Sequence, residues 1–317
     1  DYLYILESLW YFDIFDISDP VNPLSINSFY CGGLGYDLSL QENLAFVSPE
    51  YNYLLILDIS NPLDIDTISK LSGWKARTFV QDTILYIAPT NSGLQIYEIS
   101  DPYFPEFVSS PDSSKSAYQV VVQDTIAAVL EMDTSIHFYD ISDPYQPLLL
   151  SKFKTDKTSY DAYDNSNSIL LQDTLVIFTE SSGSLWIINI ADILNPVEIW
   201  SSTVYHGDCV ANNDEILYVG DFSEIMAFDI SNPSTPELLA RHELPSFVDN
   251  IFIKDTIIVV NSNWSTIIVK SNLEAGSQEP YLCGDANSDD NVNVSDAVYI
   301  INWVFLPEAP APIPIQS

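Results

Sequence analysis

The chain has 317 residues, with 10 Lys+Arg against 45 Asp+Glu and a formal net charge of −35. This length allows about two domains of roughly 150 residues, or one large all-β domain with a small appendage. Apolar residues make up 47% of the chain and charged residues 17%, which excludes an intrinsically disordered protein. The shortage of basic residues argues against a nucleic-acid partner, because binding a phosphate backbone needs a basic face.

The excess of carboxylates predicts a self-repelling surface, or one suited to divalent cations or high salt. No apolar run reaches the roughly 18 residues needed to cross a bilayer, since the longest covers residues 297–306, so we expect no membrane span. No basic, apolar leader precedes Asp1, and we expect a signal peptide to have been removed or never to have been part of this sequence. Cys31, Cys209 and Cys283 lie too far apart for a zinc or redox motif. The three cysteines could still form one disulfide and leave one free thiol.

Two short motifs recur along the chain. The first ends an apolar strand with an acidic turn of the form D/E-I-S-D/N-P, and its copies begin at Asp16, Asp58, Glu98, Asp140 and Asp229, with degenerate copies at Asn189 and Lys270. The second is a tight polar turn such as Gln81-Asp82-Thr83 or Gln123-Asp124-Thr125, and its copies are centred on residues 42, 82, 124, 173, 214 and 255. From the second motif to the first the distances are 16, 16, 16, 16, 15 and 15 residues. The two motifs therefore belong to one repeating unit.

Around these motifs the sequence alternates with period two and divides into four short strands per unit of about 40 residues. Seven units of this kind predict an all-β fold, a seven-bladed β-propeller of four-stranded antiparallel blades over residues 1–275. We expect the acidic residues of the first motif to form turns, with a ligand role as the alternative. The units resemble the LVIVD repeat of extracellular bacterial and archaeal propellers, with blades five and seven the most divergent. This resemblance implies a secreted or surface protein and no common enzymatic activity.

Between Asp140 and Asp173 the interval from the first motif to the next turn is 33 residues, against 24 to 26 elsewhere. We interpret the excess as an insertion between blades four and five that holds Lys152, Lys154 and Lys157. It is either a solvated loop or a basic projection that docks on an acidic neighbour.

A second module is predicted at residues 276–306. Oxygen-bearing residues fill positions 1, 3, 5, 7, 9 and 12 of a twelve-residue loop, the pattern that Ca²⁺ requires, and they are Asp285, Asn287, Asp289, Asn291, Asn293 and Asp296. A capped, apolar helix is expected to follow, ending near residue 305. The segment resembles one half of a type I dockerin. Asp290 replaces the usual glycine and only one repeat is present, so the resemblance implies a structural Ca²⁺ ion rather than cohesin binding.

The two ends of the chain carry a further prediction. The motif spacing places Asp1 at the turn of blade one, so that the first strand of this blade is missing from the sequence. Residues 307–317 form an extended Pro-rich tail, and in residues 309–315 every second residue is proline. Such a segment can pair along one side only, either with its own propeller or with the next molecule. A free polyproline linker is the alternative.

No signature of a known catalytic motif is present, and we expect His137, His206 and His242 to be surface or packed residues and the chain not to be an enzyme. The sequence therefore predicts a non-catalytic, secreted or cell-surface structural protein, a homo-oligomer or homopolymer whose C-terminal module is stabilised by Ca²⁺. The alternative is a monomeric propeller that binds carbohydrate or a surface protein and is anchored through its dockerin-like tail.

Overall fold

The computed structural model describes residues 2–6, 10–20, 22–50, 53–72, 75–112, 116–133, 135–154, 168–179, 184–203, 207–244, 247–254, 257–262 and 265–270. The chain divides into two compact units, Asp1–Asn272 and Leu273–Ser317. All described residues belong to the first unit. The predicted calcium loop, its helix and the Pro-rich tail lie outside them.

The described chain is all-β, and no helix occurs in these ranges. In chain order the strands are β1 (Tyr2–Leu6), β2 (Tyr11–Asp16) and β3 (Leu24–Tyr30) in blade 1; β4 (Gly35–Gln41), β5 (Leu44–Pro49), β6 (Tyr53–Asp58) and β7 (Asp66–Ser72) in blade 2; β8 (Ala76–Gln81), β9 (Ile84–Pro89), β10 (Gln95–Glu98) and β11 (Glu106–Ser109) in blade 3; β12 (Ala117–Gln123), β13 (Ile126–Glu131), β14 (Ser135–Asp140) and β15 (Leu148–Lys154) in blade 4; β16 (Ile169–Gln172), β17 (Leu175–Thr179), β18 (Leu185–Asn189) and β19 (Val197–Ser202) in blade 5; β20 (Cys209–Asn213), β21 (Ile216–Asp221), β22 (Glu224–Asp229) and β23 (Glu237–Glu243) in blade 6; and β24 (Asn250–Lys254), β25 (Ile257–Ser262) and β26 (Ser265–Lys270) in blade 7.

Each blade is an antiparallel meander in which every strand pairs with its neighbours in chain order. The architecture is the predicted seven-bladed propeller. Blades 2 to 6 have four strands, and the first strands of successive blades, from β4 through β24, contact one another as the inner strands. Blade 1 begins at the position of a second strand, and within the described residues β1 pairs only with β2. Blade 7 has the first three strand positions, and the residues after Lys270 lie outside the described ranges.

The hydrophobic core lies between the blades. In one cluster Phe12 and Ile14 of blade 1 pack against Val47 and Leu55 of blade 2, and four more clusters join blades 2 and 3, 3 and 4, 4 and 5, and 5 and 6 in the same way. The second strand of a blade is covered on both faces, so that β13 reads as a nearly continuous apolar run. The outer strands alternate between exposed and half-buried residues.

The polar turn between the first and second strands holds one residue with a left-handed backbone. Asp and Asn adopt this conformation more readily than most residues because their short polar side chains can bond locally. The residues with positive φ in these turns are Glu42 (51°), Asp82 (54°), Asp124 (53°), Asp173 (52°) and Asp214 (50°).

The glutamine that precedes the left-handed residue links one blade to the next. The side-chain amide of Gln41 donates to the carbonyl oxygen of Asp82 over 2.7 Å, and that of Gln81 donates to the carbonyl oxygen of Asp124 over 2.9 Å. At the following junction the backbone N–H of Asp173 donates to Oε1 of Gln123 over 2.8 Å. The recurring glutamine is thus explained by contacts between blades, which the sequence analysis did not predict.

Candidate binding surfaces at the two ends of the propeller

The antiparallel meander gives the propeller two chemically different ends. We call the end that holds both repeated motifs the turn end, and the opposite end, where the second strand connects to the third and one blade connects to the next, the loop end. At the turn end the backbone N–H of Ile59 donates to the carbonyl oxygen of Asn43 over 2.8 Å. At the loop end the N–H of Glu50 donates to the carbonyl oxygen of Leu34 over 2.7 Å. Blade 2 is therefore tied across both of its ends, and the turn-end bond recurs in blades 3 to 6.

The acidic residues of the first motif form turns, as predicted. Oδ1 of Asp140 accepts the backbone N–H of Ser142 over 2.9 Å, and Oδ1 of Asp143 accepts that of Tyr145 over 3.0 Å. A hydrogen bond like that from Ser142 to Asp140, from the backbone N–H two residues further on to Oδ1, recurs at Asp16, Asp58, Asn189 and Asp229. Hydrogen bonds from Ser142 lower the pKa of Asp140. Since these side chains accept hydrogen bonds from the backbone two residues further on, their repetition reflects turn geometry.

The turn end is nevertheless strongly acidic. The five left-handed residues are all exposed and lie beside the ends of the inner strands, and the first motif adds one or two carboxylates in most blades. Lys254, which ends β24, is the basic residue whose side chain is described at this end.

Basic residues gather at the loop end. Lys70, Lys152, Lys154 and Arg241 lie in the later halves of outer strands, which run toward the loop end, and Lys75 and Arg77 lie at the start of an inner strand. This placement corrects the prediction for the insertion, because Lys152 and Lys154 belong to β15 and pair with β14. Lys157 lies outside the described residues.

The most organised group at the loop end surrounds Arg77. Its guanidinium lies 4.2 Å from the ring centroid of Tyr118 and 5.6 Å from that of Tyr36, and its Nη1 donates to Oε1 of Gln119 over 3.4 Å. Nζ of Lys75 lies 4.4 Å from the Tyr36 centroid. We call Tyr36, Lys75, Arg77, Tyr118 and Gln119 the mouth cluster, since they lie where the inner strands of blades 2, 3 and 4 begin.

A neighbouring carboxylate is held in place by backbone and hydroxyl donors. Oδ2 of Asp37 accepts the N–H and the Oγ1–H of Thr78, both over 2.7 Å. Burial raises the pKa of Asp37 despite these hydrogen bonds, and burial also raises the pKa of Tyr36 and lowers that of Lys75. The hydroxyl of Tyr36 is buried and has no hydrogen-bond partner within the described part of the chain. The cluster therefore combines fixed aromatic faces, a partly buried cation and an unused donor.

The mouth cluster was not predicted from the sequence, although its residues follow a pattern in the repeats. Tyr36, Arg77 and Tyr118 precede the glutamine of the polar turn by five, four and five residues, respectively, so they lie within one residue of the same position in three successive repeats. Arginine is rare in this chain, since Arg77 and Arg241 are its two copies.

The predicted metal ligands Asp285, Asn287, Asp289, Asn291, Asn293 and Asp296 all lie outside the described residues. Within the ranges given above, no three His, Cys, Asp or Glu side chains gather as a metal site would require. Cys31 and Cys209 are buried free thiols, and burial raises the pKa of Cys31 to about 12.

One buried group has the residue types of a hydrolase triad. Oγ of Ser135 lies 3.3 Å from Nε2 of His137, and Nδ1 of His137 lies 3.5 Å from Oε1 of Glu131. All three side chains are no more than 3% exposed, so the serine presents no nucleophile to solvent. His137 is packed inside its blade, as predicted. His242 is exposed on β23, and His206 lies outside the described residues.

Comparison with known proteins supports the repeat and the fold. The family model described as LVIVD repeat matches residues 1–30, 32–65, 80–112 and 210–243, which lie in blades 1, 2, 3 and 6. The chain thus carries LVIVD repeats. Blades 5 and 7, expected to be divergent, are not matched, and neither is blade 4. In the described region no helix is long and apolar enough to span a bilayer.

Solved structures share the fold at low sequence identity. A protein from Lactobacillus plantarum has a TM-score of 0.72 and 10% identity, covering 86% of this chain and 92% of its own. A functionally unknown protein from Desulfotomaculum acetoxidans has a TM-score of 0.67 and 12% identity, covering 85% and 92%. Sqt1 of Saccharomyces cerevisiae has a TM-score of 0.62 and 10% identity, covering 86% and 79%. At these identities the likeness concerns the fold alone. No curated protein matches the chain.

Proposed function

We propose that this LVIVD-repeat propeller is a non-catalytic, secreted or cell-surface structural protein that assembles with copies of itself. The observation that carries the proposal is the uneven distribution of basic residues, most of which lie at the loop end among acids such as Glu50, Asp221 and Glu243. The turn end bears an exposed acidic residue beside each of five inner strands, whereas the loop end bears Lys75 and Arg77 beside another inner strand and further basic residues on the outer strands. Complementary surfaces on opposite ends of one molecule favour head-to-tail contacts, which do not close after two copies.

Strand addition is a second proposed contact between copies. The inner edge of β1 is not paired within the described residues, and an exposed edge is a template for another strand. Residues 309–315 fit that role because alternate prolines remove N–H donors from one side of an extended segment only. Such pairing would complete the sheet of blade 1 without leaving a new edge for a third strand.

A calcium ion in the loop from Asp285 to Asp296 is proposed to stabilise the module that carries this segment. The support for it is the sequence of this loop, in which all six ligand positions are occupied by Asp or Asn residues that can offer an oxygen atom to the ion. The extracellular location is supported by the resemblance to surface propellers. A millimolar calcium concentration outside cells would keep even a weak site occupied.

Sedimentation velocity and negative-stain microscopy of the full chain test this function. Self-assembly predicts species that grow with protein concentration in calcium, and shorter or fewer assemblies after chelation with EGTA. A single monomeric species at all protein concentrations, with and without calcium, would refute it.

A second function is favoured by the mouth cluster, namely recognition of a carbohydrate or of a surface protein by a monomeric propeller. Aromatic rings and a cation at the start of inner strands are suitable for binding an extracellular ligand. A glycan array probed with the wild-type chain and with Arg77→Gln distinguishes the two functions, since a monomer that binds a glycan only with Arg77 intact supports recognition.

A further inference from the structure

We infer that the loop end of blade 1 binds a neutral polysaccharide on an aromatic platform formed by Trp10, Tyr11 and Tyr30. These side chains are 43%, 41% and 56% exposed, respectively, and their rings contact one another through Tyr30. The inference goes beyond self-assembly, because it uses neither the mouth cluster nor a second copy of the chain.

Tyr30 is the central ring of the aromatic platform. Its ring centroid lies 6.0 Å from that of Trp10, with an angle of 27° between the ring planes. The Tyr11 centroid lies 5.7 Å from that of Tyr30, with an angle of 65°. Tyr11 and Tyr30 are also direct partners in the pairing of β2 with β3. Cross-strand aromatic pairs stabilise a sheet, so the rings are held in place before a ligand arrives.

The backbone of Trp10 explains how two consecutive side chains reach the same ring. In a regular strand, Trp10 and Tyr11 would point to opposite faces of the sheet. The left-handed φ of 83° at Trp10 departs from strand geometry, and both rings contact Tyr30. A positive φ is strained for a bulky residue, and such strain is concentrated at sites that bind ligands. The strain at Trp10 therefore assembles the platform and points to binding.

A similar arrangement is found at the loop end of blade 6. Phe222 also has a positive φ, of 37°, and its ring centroid lies 6.2 Å from that of Phe247, which is likewise exposed. The carbonyl oxygen of Phe222 accepts the backbone N–H of Val248, which follows its aromatic partner, over 2.6 Å. In the same way the carbonyl oxygen of Trp10 accepts the N–H of Cys31 over 2.9 Å. This repetition indicates that the backbone holds exposed aromatic residues in place at the loop end.

The chemistry of the platform fits a sugar without charge. Sugars present apolar C–H faces, and covering aromatic rings with such a face removes apolar surface from water. Asp13 follows Tyr11 by two residues in β2, so its carboxylate lies on the same face of the sheet and can accept hydrogen bonds from sugar hydroxyls. An acidic polysaccharide would be repelled by Asp13 and by the net charge of −35.

A cationic ligand fits this platform less well. A cation gains most from aromatic rings where they shield it from water, whereas all three rings are open to solvent. The nearly parallel planes of Trp10 and Tyr30 are better matched by the flat chain of a β-1,4-linked polysaccharide, whose sugar rings expose C–H groups on both faces.

Isothermal titration calorimetry of the full chain with cellohexaose and with chitohexaose, two neutral β-1,4-linked oligosaccharides, tests the inference. We expect at least one of them to bind, with little dependence on salt. Trp10→Gly should raise the dissociation constant about tenfold or more by removing the largest ring. The midpoint of urea denaturation should not fall in this variant, because glycine adopts a φ of 83° without strain. A residue needed only for folding would not separate the two measurements.

Tyr30→Ala is a second test of the platform, and Tyr145→Ala is its matched control, because Tyr145 is similarly exposed but lies in a turn at the opposite end. Tyr30→Ala should weaken binding and Tyr145→Ala should not. The inference is wrong if neither oligosaccharide binds, if Trp10→Gly and Tyr30→Ala bind as tightly as the wild type, or if only Arg77→Gln abolishes binding. Binding of oligolysine that is lost in Trp10→Gly would identify a cationic ligand and would also refute it. None of these results depends on whether the chain self-assembles.

Discussion

The backbone N–H of Ile141 donates a hydrogen bond to the carbonyl oxygen of Thr125 over 2.8 Å. This contact joins the two repeated motifs of blade 4, since Thr125 ends the polar turn and Ile141 follows the third strand. The same bond recurs from Ile59 to Asn43, Ile99 to Thr83, Ile190 to Thr174 and Ile230 to Glu215. The near-constant interval between the motifs therefore has a physical cause, because a shift of one residue would break this bond or the strand register between them.

The isoleucine of this contact also belongs to the core. Ile141 is 5% exposed and packs in the cluster between blades 3 and 4. We predict that Ile141→Ala lowers the free energy of unfolding by about 2–4 kcal/mol through lost burial and cavity formation. Urea denaturation measures the change. Leu148→Ala, at a side chain that is 61% exposed, serves as control and should change stability by less than about 0.5 kcal/mol.

Outer strands are tied to the turns of the next blade by hydroxyl groups. Oγ of Ser109 donates to the carbonyl oxygen of Pro144 over 2.7 Å, and Oγ of Ser69 donates to that of Pro102 over 2.9 Å. Ser109→Ala is expected to cost about 0.5–1.5 kcal/mol, the net value of a partly buried hydrogen bond. In thermal denaturation Ser234→Ala should leave the melting temperature unchanged, because Ser234 contacts Asn232 through its backbone N–H. Equal effects of both substitutions would contradict the assignment.

The left-handed turn residues predict an unusual tolerance for glycine. At Asp124, with φ of 53°, Asp124→Gly should change stability by no more than a few tenths of a kcal/mol, since glycine adopts positive φ without strain. Asp124→Val should destabilise the chain by more than about 1 kcal/mol, because a branched side chain is strained there. Thr125→Val, at the next turn residue, where φ is not positive, is the control and should be mild. Chemical denaturation of the three variants measures their free energies of unfolding, and Asp124→Val should be the least stable.

Acidification should weaken the turns of the first motif. The backbone and hydroxyl groups of Ser142 lower the pKa of Asp140, and Ser60 lowers that of Asp58 in the same way. A carboxylate whose pKa is lower in the folded state stabilises the fold above its unfolded pKa, and this contribution is lost as pH falls through the folded pKa. Asp140→Asn keeps an acceptor but does not titrate, so its melting temperature should fall less than that of the wild type between about pH 5 and pH 3. An equal fall in both proteins would argue against this origin.

The dependence of stability on pH has the opposite sign for Asp37, because its pKa is raised in the folded state. Burial raises its folded pKa, so ionisation of this group opposes folding as pH rises through the interval between its unfolded and folded pKa values. Its hydrogen bonds from Thr78 limit this loss.

The calcium prediction concerns residues outside the described ranges. Isothermal titration calorimetry of the wild-type chain should show one Ca²⁺ site, and Asp285→Ala combined with Asp289→Ala should abolish it by removing two charged ligands. Asp143→Ala, which removes one acid from a turn of blade 4, is the control and should leave calcium binding intact. If the wild-type chain binds no Ca²⁺, the prediction of a calcium site is wrong.

Much of the fold could be predicted from the sequence because the contacts that define a blade are local and repeated. The turn-forming role of Asp140 and Asp143 and the strand alternation both follow from intervals within one unit of about 40 residues. The basic insertion was partly misplaced because β15 continues through Lys152 and Lys154. The interval between the motifs shows that extra residues lie between blades 4 and 5, but it does not show where β15 ends and the loop begins.

The number of blades and the turn-forming role of the acidic residues could be predicted from the sequence, since both depend on residues close together in one repeat. Which side chains of different blades meet became visible only in the folded chain. Arg77 lies between Tyr36 and Tyr118, each 41 residues away, because the inner strands pack side by side in the ring. Periodicity places these three positions within one residue of each other in the repeat, but the contact between them arises only from the packing of one blade against the next.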